Sequence, residues 1–79
     1  MRQRDLEELA LRLEAEEKLR LRYRWPVRAY GGGVVEYEER VDPLLDVAEE
    51  TGVLFVSQDG EVMKVHLHEA IEVLLDRRG

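Results

Sequence analysis

Cysteine is absent from these 79 residues. No disulfide can brace the fold, and thiolate metal ligation and thiol nucleophiles are excluded. Asparagine is also missing, and Ser57 and Thr51 are the only serine and threonine. Ser57 sits beside an expected turn with no base to activate it, so hydroxyl nucleophile chemistry has no starting point. Long apolar runs are lacking too: the longest, Val53 to Val56, falls far short of the ~20 residues that span a bilayer. Met1-Arg2-Gln3-Arg4-Asp5 leads into a charged amphipathic stretch rather than a signal-peptide core. These absences lead us to expect a single domain over residues 1–79, cytoplasmic, with no membrane partner and no cofactor. A chain this short buries about 60–65% of its unfolded surface, so self-association is the expected support, and a homo-oligomer the expected state.

Charge is abundant instead. Charged residues make up 38% of the chain, net charge is −6, and the 12 basic residues are ten arginines and two lysines. With no asparagine, that balance hints at a thermophile or a GC-rich genome, although the hyperthermophile pattern favours lysine and glutamate. Residues 1–40 hold nine basic and nine acidic groups, and residues 41–79 three and nine. The excess acid therefore lies in the second half. Within the balanced half, Lys18 to Tyr30 contains Lys18, Arg20, Arg22, Arg24 and Arg28 and no acid.

Asp5-Leu6-Glu7-Glu8 reads as a capping box, and Leu6, Leu9, Ala10 and Leu13 share one face at helical spacing. A helix is expected from residue 5 to about 17, with opposite charges four apart, Arg12/Glu16 among them. From Leu19 the period becomes two: Leu19, Leu21, Tyr23, Trp25, Val27 and Ala29 point one way, and the arginines the other. Pro26 cannot donate to a ladder, so it belongs at a sheet edge or a bulge. Gly31-Gly32-Gly33 reads as a turn, after which Val35, Tyr37 and Val41 resume the apolar face, with Glu36, Glu38 and Arg40 outside. A three-residue glycine turn sets Val27 opposite Tyr37, Trp25 opposite Glu39 and Arg24 opposite Arg40, and a bulge near Pro26 would relieve the last two.

Asp42-Pro43 has the chemistry of a helix start, with Leu44, Leu45 and Ala48 as its apolar face and Gly52 as a left-handed stop. Val53–Ser57 and Val62–Leu67, joined at Asp59-Gly60, form a second hairpin. Its faces are Leu54, Val56, Met63, Val65 and Leu67 on one side and Val53, Phe55 and Val62 on the other, so both sides are apolar. Leu67, Ala70, Ile71, Leu74 and Leu75 follow helical spacing over residues 68–78, with Arg77 and Arg78 suited to the C-terminal dipole, although no capping residue starts that segment and Ile71, Val73 and Leu75 also fit a strand.

The expected fold is α+β, in the order α-β-β-α-β-β-α, with a four-stranded, mainly antiparallel sheet and helices on one face. With a strand at the end, the order becomes an N-terminal helix plus five strands. That order is similar to Sm-like small barrels, whose closing strands Gly60 to Val73 (GEVMKVHLHEAIEV) resembles.

Three sets of residues are candidate sites. Arg20, Arg22, Arg24 and Arg28, with Tyr30 beside them, form a surface that could bind RNA or a single strand; at a pI near 4.9, an ion network with Glu36, Glu38 and the acidic helix faces is favoured. His66 and His68 have metal-ligand spacing on a strand, with Glu69 or Glu72 as a further donor, but an exposed strand end accounts for them as well. Val53, Phe55 and Val62 are the candidate oligomer interface. Glu38-Glu39 and Glu49-Glu50 read as solubility rather than acid–base pairs. The leading expectation is a small non-enzymatic protein-interaction module, ahead of a nucleic-acid binder and a metal-dependent enzyme.

Overall fold

The computed structural model describes residues 1–28 and 31–76, without the side chains of Val34 and Val35. Tyr30 and the Arg77-Arg78 pair lie outside the described residues. One helix, α1 (Gln3–Glu14), precedes five strands: β1 (Leu19–Arg28), β2 (Val34–Ala48), β3 (Val53–Gln58), β4 (Glu61–His66) and β5 (Ala70–Leu75). A single 3-10 turn, Leu67–Glu69, joins β4 to β5. The strands form one antiparallel sheet in the order β4-β3-β2-β1-β5. No helix among the described residues is long and apolar enough to cross a membrane.

Helix α1 starts two residues before Asp5. The Arg2 N–H donates to the Asp5 carboxylate at 2.9 Å, so Asp5, at the third helical position, reaches back to the N-cap amide instead of capping the helix itself. The expected apolar face is present, with Leu6 and Leu9 buried and Leu13 packed against them. The helix ends at Glu14, short of the expected residue 17, and two residues on Glu16 turns the chain with a left-handed φ of 61°; Arg12 reaches beyond that end to Glu17 at 3.2 Å.

The four-stranded, three-helix architecture is overturned: the expected helix at 43–50 is the end of β2, up to Ala48, and the described part of the one expected at 68–78 is the 3-10 turn and β5. Two β-bulges explain both errors. Leu44 pairs with Val56 and Val47 with Leu54, with a register shift between them. One extra residue in the strand therefore puts Leu44 and Val47 on the same core-facing side, three apart, and imitates a helical face. The same occurs in β5, where Val73 pairs with Leu21 and Ala70 with Tyr23 across another shift. Ala70 and Val73 both face the core, while Leu74 and Leu75 are exposed. Pro43 sits where β2 leaves its pairing with β1 and takes up β3. A missing N–H is harmless at that changeover, as it is at a helix start.

The β3–β4 hairpin forms as expected. Gln58 pairs with Glu61, and Asp59 and Gly60 both have the positive φ, 51° and 86°, that a type I′ turn requires. The first hairpin forms too, but one residue out of the expected register: Val27 lies opposite Glu36, Trp25 opposite Glu38 and Arg24 opposite Glu39. The irregularity falls between Val27 and Arg28, just beyond the expected Pro26. A slip of one residue exchanges the two faces of a strand. Tyr37 accordingly points outward, 55% exposed, and Arg40 and Asp42 turn towards Tyr23 and Leu21.

One hydrophobic cluster joins Leu6 and Leu9 of α1, Leu19, Leu21 and Tyr23 of β1, Leu44, Leu54, Val56, Val65 and Ala70. All five strands contribute to it, so both halves of the sheet share a single core with α1. The N-terminal helix plus five strands of the alternative order fits this arrangement.

Candidate functional site

Strand β1 organises the candidate site, because three chemically distinct regions lie along it. The first is a polar cluster at the edge of the core. The Tyr23 hydroxyl donates to Asp42 Oδ2 at 2.6 Å and accepts from Gln58 Nε2 at 3.0 Å. Arg40 reaches Asp42 and Glu38 at 3.3 Å and Asp59 at 3.4 Å. Burial works against the Arg40 charge, but hydrogen bonds to the Asp42 and Glu38 carboxylates outweigh it and hold its pKa above the ordinary value. This cluster ties β1, β2 and the β3–β4 turn together, a structural role. Sequence reasoning missed it because the expected register pointed Arg40 outward.

Burial pushes the Tyr23 phenol above its ordinary pKa of 10.0, the Asp42 carboxylate adds to the rise, and the Gln58 hydrogen bond opposes it. The folded state favours the neutral phenol. Its contribution to stability is present in full below pH 10.0 and is lost as pH rises through the folded pKa. An ultraviolet phenolate titration should show one tyrosine ionising late, a feature that Tyr23→Phe removes. If all tyrosines ionise together near pH 10.0, this account of Tyr23 fails.

The second region is the arginine strip on the outer face of β1, where the arginines are engaged within the chain. Arg20 donates to the Val41 carbonyl at 3.3 Å. Arg22 Nε lies 3.3 Å from Glu72 and 3.4 Å from Glu39, though neither approach is aligned as a hydrogen bond. Arg24 lies over the Tyr37 ring, 5.5 Å from its centroid, and Arg28 donates to the Gly32 carbonyl at 3.1 Å. Among the described residues Arg22 alone of the four is ion-paired, to Glu39 and Glu72 rather than to the expected Glu36 and Glu38; Glu38 serves Arg40 instead. Among the described residues, the aromatic beside the strip is Tyr37, brought there by the register slip.

The third region lies where β1 outruns its neighbour. Pairing with β5 ends at Tyr23 opposite Ala70, so Arg24 to Arg28 have no strand on that side among the described residues, and Pro26 sits at the open edge as expected. Across this gap from β4, the sheet's other edge strand, Trp25, Pro26, Arg28, Lys64, His66 and Glu69 line a groove of about 590 Å³. Arg28, Lys64 and His66 are exposed. Glu69 accepts from the His66 backbone N–H at 3.2 Å. Sequence reasoning did not combine these residues; the available signal was Pro26, which marks where pairing on one side of β1 must stop.

The His66 and His68 rings are stacked, with centroids 5.8 Å apart and planes 10° from parallel. No group of three or more His, Cys, Asp or Glu is gathered for a metal among the described residues. Of the interface candidates, Val53 is buried, Phe55 half-buried, and Val62 66% exposed. Comparison with known protein families, curated proteins and solved structures finds no match to this chain.

Proposed function

We propose that this chain is a small, non-enzymatic protein-interaction module that acts as a homo-oligomer. The observation that carries the reading is the state of the sheet's two edges. Strand β4 closes one side and β5 the other, and each bears a large apolar side chain in solvent: Val62 at 66% exposure and Leu75 at 55%. An edge strand offers unpaired N–H and C=O groups, and apolar side chains beside them favour pairing with another chain. The exposed half of the β3–β4 hairpin supports the same reading.

The rival, an RNA or single-strand binder using the arginine strip, has less support. Arg22 already faces two carboxylates, so a phosphate would have to displace them in an acidic protein.

Light scattering at micromolar concentration should give a mass of two or more chains. Val62→Glu with Leu75→Glu should shift that mass towards a single chain, since each places a charge where an apolar contact is expected. A single-chain mass for the parent protein would sink the proposal.

A further inference from the structure

The two ends of β1 carry opposite charge. At its far end, the groove beside β4 presents Arg28, Lys64 and His66 in solvent, with half-buried Trp25 and, among the described residues, Glu69 as the one acid in its lining. At its near end, α1 and the bulged part of β2 enclose two adjoining grooves of about 620 and 540 Å³, which share Leu13 and Leu45. Glu14, Glu16, Asp46, Glu49 and Glu50 line them together with Glu17 and Asp76, and among the described residues Lys18 is the one base in that lining. None of the first five carboxylates has an ion-pair partner among the described residues. At their centre Leu45, the extra residue of the β2 bulge, is 47% exposed.

A second copy's surface supplies what each groove lacks: carboxylates for the basic one, cations for the acidic one, and Trp25 against Leu45 as an apolar centre.

Resting on the homo-oligomer reading, we infer that the basic groove beside β4 of one copy seats on the acidic groove between α1 and β2 of the next. The contact joins two different surfaces of the chain, so it runs head to tail. Assembly then continues until a ring closes, or grows as a filament. Opposite potentials on the two faces also orient the encounter and make it sensitive to salt.

The test is sedimentation velocity on the full chain at about 50 μM, in about 50 mM and about 500 mM salt. The parent should be oligomeric at low salt and lose most of its oligomer at high salt. Arg28→Glu with Lys64→Glu removes the basic surface, and Glu14→Lys with Glu50→Lys removes the acidic one; all four positions are exposed, and circular dichroism checks that each variant is folded. Each should sediment as a monomer alone. Mixed in equal amounts they should form a dimer and nothing larger, because each retains only one competent surface. If both variants oligomerise like the parent, or the mixture stays monomeric while the parent assembles, the head-to-tail contact is wrong and the homo-oligomer reading stands. A parent that is monomeric at low salt removes both. Low-salt binding of a labelled oligothymidine that is lost in Arg28→Glu with Lys64→Glu would give the basic groove to a polyanion and overturn the inference.

Discussion

Leu54→Ala is expected to remove about 3–5 kcal/mol of folding free energy, the upper part of the range for a fully buried leucine. Leu54 is wholly buried in the interior strand β3, between Val47 on β2 and Val65 on β4. Its neighbours are held by two ladders and cannot collapse into the space it leaves. A chain of 79 residues has roughly 4–12 kcal/mol in all, so the variant should be close to unfolding at room temperature. Its thermal midpoint should fall by about 15–30 °C. Val62→Ala is the control: it lies on the opposite face of the same hairpin, and its monomer stability should change by less than about 0.5 kcal/mol. Because assembly would stabilise the folded state, both must be measured at one protein concentration. Similar losses in the two variants would mean that the faces of this hairpin are wrongly assigned.

Asp42→Ala is expected to cost about 2–3 kcal/mol, because it leaves the buried Tyr23 hydroxyl without its acceptor and takes one carboxylate from Arg40. An Asp42 that merely capped a helix at Pro43 would be worth ~1 kcal/mol and would be indifferent to Tyr23. The two accounts separate in a double-mutant cycle with Tyr23→Phe. In the strand structure the coupling between these residues should be about 1–2 kcal/mol, with Asp42→Asn retaining part of it through its amide oxygen. Additivity to within about 0.5 kcal/mol would refute the polar cluster as a unit.

The two misread segments share a cause. Leu44 and Val47, and likewise Ala70 and Val73, reach the core three residues apart because a bulge inserts one residue between them. Periodicity measures the spacing of buried side chains, and a bulged strand and one helical turn share that spacing over so short a stretch. Asp42-Pro43 strengthened the error, since a side-chain acceptor followed by a missing N–H suits a strand changing partners as well as a helix beginning. Tyr37 shows a different failure. The alternation around it was read correctly, but its phase depended on the turn after Arg28, and a slip of one residue there exchanged the faces of β2.

The site divides in the same way. That Arg22 would meet carboxylates was legible in the acidic composition around it, but its partners Glu39 and Glu72 come from β2 and β5 on either side, and only strand order could supply them. The groove beside β4 brings together residues about 40 positions apart in the chain, Trp25 with Lys64 and His66. No local pattern links them, since the gap they line exists only because β5 stops opposite Tyr23.

By itself the sequence determined what local chemistry controls: an amphipathic first helix with Leu6 and Leu9 inward, a strand from Leu19 with alternating faces, and the Asp59-Gly60 hairpin with Leu54, Val56 and Val65 on one side. Each follows from spacing or from backbone angles that few residues can adopt. Tertiary structure decided the register of β1 against β2, the strand character of both bulged segments, the Tyr23–Asp42–Arg40 cluster, and the separation of basic and acidic grooves to opposite ends of β1. Those depend on which strands are neighbours and where each pairing stops. These are long-range choices, made by packing one shared core rather than by any short stretch of chain.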